Sequence, residues 1–448
     1  MNNRVRSWLI AMISQMVVLT STQLAQDARL QPLIEVGENI LVGKDAEHPL
    51  AEPQVTANAR NPNHLLATAT VATNPPFSAK QDCAAFVSFD GGRTWSRHDF
   101  GLKGCGDPWV GLRADGMAMF AGLYGRGQIA LFQSTDGGRT WPAQPVVSFK
   151  DGGYDHQMMT VDTTAGPFAG SFYLVAKQGD EAKTGHTYSL IWVWRSADGG
   201  RSFPQAASVT PSNLNLGPDT PAVLSDGTLV IPFTDFQRVV NKNFVQVGLL
   251  DRRRSWVLIS NDGGKSFSAP KFISEDCGFG GGFNSLAVDH SSGRLRDHIY
   301  FLCTTREKTG VIVHHSSDRG EEWSAPVSVD KPAEDVVFRN TPSIAVNKYG
   351  VVGISWYERR KDDGKCQHIY FTASLDGGQS FLPTERISSD LSCPDSERNG
   401  RAAQRWPAGG DYSGLTATSD GLFHIVWSDS RSRIYEVWTA AVKVNANP

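Results

Sequence analysis

Short apolar runs punctuated by Gly, Asp, Asn and Pro recur from Ile34 almost to the end of the chain. VVGISW, LFHIVW and TLVIPF alternate in the pattern of half-buried strands, and such runs bounded by turn residues predict an all-β chain. Six of the apolar runs end in one phrase. It reads SFDGGRTW from Ser88, STDGGRTW from Ser134, SADGGRSF from Ser196, SNDGGKSF from Ser260, SSDRGEEW from Ser316 and SLDGGQSF from Ser374. The common form is Ser-x-Asp-x-Gly-x-x-aromatic, at steps of 46, 62, 64, 56 and 58 residues. Self-similarity at such a spacing is the signature of a repeat architecture.

A second repeat precedes each phrase: an apolar strand, a turn and another apolar strand. Its copies are EPQVTAN at Glu52, DPWVGLRADG at Asp107, HQMMTVD at His156, TPAVLSDG at Thr220, FNSLAVD at Phe283, TPSIAVNKYG at Thr341 and YSGLTATSDG at Tyr412. Each unit therefore reads as an inner strand, a second strand ending in an aromatic, a third strand, the phrase as a turn, and an outer strand. Four antiparallel strands repeated radially make a β-propeller. At ~57 residues per unit, seven blades need roughly 400 residues, which the chain supplies. A six-bladed ring is the alternative, and it leaves the seventh inner strand unused. The last unit lacks the phrase and ends at WTAAVKVN, so Ile34 to Gly43 is expected to supply its outer strand, close the ring and remove both open edges.

The phrase itself is a turn device. Its Asp accepts hydrogen bonds from nearby backbone N–H groups, and its Gly permits positive φ. The terminal aromatic (Trp95, Trp141, Phe203, Phe267, Trp323 or Phe381) is expected to bury between blade sheets. Arg319 stands where the other copies have Gly, so the fifth turn is expected to differ.

Formal charge is −3 with acids and bases mixed, and no basic run marks a nucleic-acid footprint. Arg4 and Arg6 ahead of the apolar stretch Trp8 to Leu19 read as an export signal, taken as residues 1–25, with a short linker at 26–33 and the propeller over 34–448. The expected location is secreted or periplasmic, with no membrane span once the signal is cleaved. Six Cys permit 15 connectivities. Pairing of neighbours, Cys83 with Cys105, Cys277 with Cys303 and Cys366 with Cys393, would close short loops; six buried free thiols are the alternative.

The six phrases resemble the Asp boxes, or BNR repeats, of sialidases and the wider sialidase-like propellers of secreted bacterial type, over essentially the whole chain after the signal. The segment GGDYSGLTATSDGLFHIVWSDSR from Gly409 resembles one common in those propellers. Its YSGL is similar to the stretch around the sialidase nucleophile, which the resemblance would place at Tyr412. Two features depart from the sialidase pattern. Sialidases carry Arg-Ile-Pro before the first inner strand, with the Arg clamping the substrate carboxylate, whereas Ala51, Glu52 and Pro53 stand here. Sialidases also have six blades, against the seven counted here.

Propeller geometry puts the boxes on one face and the candidate chemistry on the other. At the heads of the inner strands stand Glu52, Asp107, Asp155, His156, Asp219, Asn284, Arg339, Asn340, Asp411 and Tyr412. After the second strands come Asp235, then Glu358 with Arg360, then Asp429 with Arg431; Arg306 and Glu307 stand at the corresponding place in the fifth unit. Arginines hold a carboxylated sugar through forked hydrogen bonds. Carboxylates serve as acid and base when their pKa values are pushed apart. The resemblance implies an exo-α-sialidase-type glycoside hydrolase with a Tyr nucleophile, an exception among glycosidases. Tyr412 activated by Glu358, with Asp107 or Asp155 as the acid, fits that expectation. Arg306, Arg339, Arg360, Arg431, Asp411, Asp429, His156 and Asp219 are the candidate substrate contacts. A purely structural role is open to the Glu358–Arg360 and Asp429–Arg431 pairs, which could brace adjacent blades. The same residues also suit a noncatalytic propeller that binds glycan or protein, or a polysaccharide lyase using His156 and Tyr412. No metal-loop pattern occurs and no cofactor is expected, although a structural divalent cation such as calcium would suit the acidic ring. The expected partner is an extracellular glycan or glycoconjugate, met by a monomer.

Overall fold

Alternating strands that end in Asp-Gly turns cannot bury both faces in one sheet, so they stack as radial sheets. The computed structural model describes residues 33–445 apart from 74–79, 180–188, 210–214, 241–245, 279–282 and 332, so the expected signal lies outside the described residues. Seven antiparallel sheets form the ring. Blades 1 to 6 span 50–99, 106–149, 154–209, 215–274, 285–328 and 336–386. Blade 7 combines Gly414–Ala417, Phe423–Asp429 and Glu436–Val444 with two short strands from the start of the fold, Ile34–Val36 and Ile40–Gly43. Ile34 pairs with Val444 and Ile40 with Thr439, both antiparallel, so the ring closes as the unfinished last repeat requires. The seven-bladed reading holds, and the six-bladed alternative does not.

Second strands such as Leu65–Val71, buried throughout, and Phe172–Gln178, buried as far as Lys177, pack blade against blade. The six box turns share one hydrogen-bond set, except that the fifth has Glu322 in place of Thr or Ser and lacks the bond from that hydroxyl. In the first, the Ser88 hydroxyl donates to Asp90 (2.8 Å) and accepts from Gly92 N–H (2.9 Å), and Asp90 accepts from the Thr94 N–H (2.9 Å) and hydroxyl (2.6 Å). Trp141 and Phe203 are buried as expected, whereas Trp95, Phe267, Trp323 and Phe381 are half-buried caps packed on the blade cores. The fifth turn keeps the shape of the others. Arg319 adopts φ +69°, against +72° to +81° for the matching glycines. Its guanidinium reaches Asp226 and the Thr228 hydroxyl, contacts that offset the left-handed conformation.

Three disulfides join Cys83–Cys105, Cys277–Cys303 and Cys366–Cys393, and no described cysteine is free. Each ties the mouth end of a second or third strand to a loop between blades. Disulfides suit an oxidising compartment such as the cell exterior or the periplasm. Among the described residues, no helix is long and apolar enough to cross a membrane.

Candidate functional site

The inner strands do not run straight to the mouth. In blades 1, 2, 3 and 6 the ladder slips between Ala51 and Gln54, Gly106 and Trp109, Asp155 and Met158, and Asn340 and Ser343. Pro53, Pro108 and Pro342 lie inside three of these bulges and have no N–H for the ladder. The residue just before takes positive φ: Glu52 +56°, Asp107 +48° and Thr341 +42°, with His156 at +53° in the remaining bulge. A left-handed non-Gly residue is costly, most of all a β-branched one, and such strain gathers at functional sites. Here it turns side chains from the blade interior towards the ring axis.

Side-chain bonds replace the lost ladder. Thr68 donates to Pro108 O, Gln157 to Asp107 O, and the Ser413 hydroxyl to Thr341 O. Gly410 lets the loop of blade 7 lie against blade 1, because a Cβ there would come within 2.8 Å of the Glu52 backbone. That contact brings Asp411 and Tyr412 to the centre. Tyr412 is 7 % exposed, its ring centroid 5.4 Å from Trp109 and 6.2 Å from Phe283. The three aromatics line the top of the central channel, a cavity of about 280 Å³. The Tyr412 hydroxyl is buried and has no hydrogen-bond partner among the described residues. Its pKa is raised well above the usual value, first by burial and then by the charges of Glu52, Asp107, Asp411 and Asp155.

A row of carboxyl groups thus crosses blades 7, 1, 2 and 3. Glu52, 1 % exposed, accepts from the Thr70 hydroxyl and shares a hydrogen bond with Asp107, a contact that needs a proton between the two acids. Burial raises the Asp107 pKa and the charges of Asp155 and Asp411 raise it further, while the Glu52 hydrogen bond and the Lys177 charge lower it, leaving it at about 7. Burial also pushes Asp155 upward, but His156 and Lys177 outweigh it and bring its pKa down to about 2. The Lys177 ammonium lies 2.9 Å from Asp155 and the His156 imidazole 3.3 Å away. One donor atom each of Asp107, Asp155 and His156 lie within 4.8 Å of one another, a set that could share a cation, but Asp155 already holds the Lys177 ammonium. Asp219 is separate: burial pushes its pKa up to about 7 while Asn284 donates to it twice, at 3.1 Å each.

The arginines are elsewhere and occupied. Arg339, 1 % exposed, donates to Glu358 (2.8 Å) and Asp330 (2.9 Å). Arg360 donates to Glu358 (2.8 Å) and lies 3.3 Å from Asp335. Arg431 donates to Asp429 (2.7 Å), Asp390 and Ser389, and Arg306 to Glu275 O. The acids after the second strands also accept an indole N–H: Glu358 from Trp356, Asp429 from Trp427 and Asp235 from Trp256. The Glu358–Arg360 and Asp429–Arg431 pairs are ion-paired braces in this geometry, and the carboxylates acting on Tyr412 are Glu52, Asp107, Asp411 and Asp155. Ala51, at the place of the sialidase arginine, is fully buried against Ala72, Ala402 and Trp406 around the short helix Ser396–Arg405. Sequence reasoning placed Glu52 at the mouth without giving it a role, and it missed Lys177. The signal for Lys177 was that of a lone cation closing the apolar strand FYLVAKQ.

The model of the BNR repeat-like domain matches residues 116–425, more than half of the chain, and that of the BNR/Asp-box repeat matches residues 86–97. The chain belongs to the BNR repeat-like domain family. No curated protein matches this BNR repeat-like chain in sequence. Among solved structures, a Hadza microbial sialidase is similar at 15% identity, with 91% of this chain and 94% of that one covered and a TM-score of 0.50. The NanB sialidase from Streptococcus pneumoniae is similar at 12% identity, 91% and 71% coverage and a TM-score of 0.49. An α-L-arabinanase from Penicillium chrysogenum is similar at 13% identity, 92% and 98% coverage and a TM-score of 0.46. At 15% identity the likeness to the Hadza sialidase speaks for the propeller fold of this BNR repeat-like protein alone and leaves its chemistry to its own residues.

Proposed function

We propose that this propeller is a secreted glycoside hydrolase that acts on extracellular glycans as a monomer, with Asp107 as general acid and Asp155 as its ionised partner. One observation carries the reading: two adjacent carboxyl groups whose pKa values are driven apart, to about 7 and about 2. Such a split separates proton donor from ionised partner in one site. Oxygens of the two groups lie within 4.8 Å. A separation under this bound is well short of the ~6.5–9.5 Å of inverting glycosidases and supports a retaining displacement. Asp107 gives its proton to the glycosidic oxygen as the C–O bond breaks, and the Asp155 carboxylate bonds to the anomeric carbon. Asp107 then takes a proton from water, whose oxygen displaces Asp155. Tyr412 stays a phenol and donates to the sugar.

An exo-α-sialidase is the narrower form of this reading. Tyr412 at the centre of the mouth favours it. The four arginines already held by acids or a carbonyl, and the carboxylates around Tyr412, favour an uncharged sugar instead. A screen of fluorogenic glycosides, sialosides included, together with a glycan array, tests the proposal. Turnover of at least one uncharged glycoside is expected, lowered by about a hundredfold or more in Asp107→Asn. Glycan binding without turnover of any glycoside would overturn it in favour of a binding module.

A further inference from the structure

We propose that Lys177 is a positioning residue of this site: its ammonium keeps Asp155 ionised and held at Asp107, so that one carboxyl of the pair carries the proton and the other does not. The inference rests on the hydrolase reading and assigns a role to a residue outside the reacting pair.

Lys177 closes the second strand of blade 3, Phe172–Gln178, whose residues from Phe172 to Ala176 are fully buried and apolar. It is itself only 7 % exposed. An unpaired buried ammonium is costly, so a lysine here needs an acid. The antiparallel register supplies one, because Lys177 stands directly opposite Asp155. The ammonium reaches the Asp155 carboxylate at 2.9 Å. The bulge that follows, between Asp155 and Met158, puts the Asp155 side chain at the mouth beside Asp107.

The surroundings make this cation consequential. Glu52 faces the pair from blade 1, His156 from blade 3, and Asp411 and Tyr412 from blade 7. The charges of Asp155 and Asp411 favour protonation of Asp107, whereas its hydrogen bond with Glu52 opposes it. The groups that keep Asp155 ionised are His156, 3.3 Å from the Asp155 carboxylate, and Lys177, which makes the closer contact at 2.9 Å. Lys177 bonds Asp155 directly and reaches Asp107 only by charge, so it holds Asp155 ionised more firmly than Asp107.

The test compares wild type, Lys177→Met and Lys177→Arg in the full chain. In Lys177→Met the acidic limb of kcat/KM is expected to move up by one pH unit or more. A fall in kcat of tenfold or more should accompany it, with KM changed less than threefold. Lys177→Arg should restore the limb. Loss of activity in both variants with an unmoved limb would reduce Lys177 to packing and overturn the proposal. Carboxyl-carbon NMR titration, with Asp155 assigned by Asp155→Asn, decides independently of turnover. The Asp155 midpoint should rise in Lys177→Met and return in Lys177→Arg, and an unmoved midpoint overturns the proposal. A wild type inert on every glycoside, with the midpoint shift present, would sink the hydrolase reading and leave the charge-dividing role standing.

Discussion

Asp429 and Asp107 both stand at the mouth of this propeller, at the ends of neighbouring layers of strands, yet their surroundings are opposite. Asp429 is fully buried and receives the Trp427 indole at 2.9 Å and the Arg431 guanidinium at 2.7 Å. Glu358 repeats the arrangement with Trp356, Arg339 and Arg360. Asp107 has no arginine, shares a proton contact with Glu52, and faces the charges of Asp155 and Asp411. The outer set of acids is supplied with cations and indoles from its own blade and fixes the ends of that blade's strands. The inner set is short of counter-charge and holds a proton near neutral pH. Residue type alone does not separate bracing from reactivity; the balance of partners does.

The comparison breaks if the two sets respond alike to neutralisation. Asp107→Asn should cut turnover by roughly 10²–10⁴-fold while the melting temperature stays within a few degrees. Glu358→Gln should do the reverse: stability falls by up to about 3 kcal/mol, because the fully buried Arg339 keeps only Asp330 as an acid partner. Calorimetry and kinetics on the two variants read both effects. Equal loss of stability in both would erase the distinction.

The loop ahead of Asp107 offers the next test. Cys105 lies two residues before it and is tied to Cys83 across 22 residues. Replacing both by Ala should remove about 3 kcal/mol by the loop-closure argument. It should lower kcat more than the same change at Cys366 and Cys393, which lies by the short helix Ser396–Arg405. Equal kinetic effects would show that the strand heads are set by the bulges alone.

The acids with raised pKa also fix a pH signature. Folded Asp219 keeps its proton up to about 7, whereas an unfolded chain releases it near 3.8. Wild type therefore loses stability relative to Asp219→Asn as the pH climbs from about 4 to about 7, and the gap is flat outside that window. Urea melts across the range would contradict this by a constant gap. Turnover should fall above pH about 7 as Asp107 ionises. The smallest effect concerns the box face. Arg319→Gly removes a left-handed side chain but also its contact with Asp226, so it should change stability by less than about 1 kcal/mol and leave activity untouched.

How far these features were legible in the sequence follows from the length scale of each. The ring, its seven blades and its closing strand were legible because box and inner-strand repeats recur with their own turn chemistry. Neighbouring cysteine pairing was legible because the paired residues close short loops beside strand ends. The mouth face was legible from chain direction. What could not be read was which acids meet which cations. Tyr412 lies with Glu52 across the ring closure, 360 residues apart in sequence, and only Gly410 and the bulges bring them together. Trp356 and Glu358 sit two residues apart, yet the bond between them was hidden because strand periodicity says nothing about an indole folding onto its own strand.

The clasp in blade 7 has a consequence for synthesis. Ile34–Val36 and Ile40–Gly43 are among the first strands to be made, and they pair with Glu436–Val444, the last. Until that final strand arrives, blade 1 has no neighbour on one side and the early segment has no ladder to join. Blades 1 to 6 can form in turn, but the cluster around Tyr412 and Glu52 spans the seam and assembles only when the ends meet. A chain stopped short of Glu436 would carry most of its core, an open edge and an unfinished mouth.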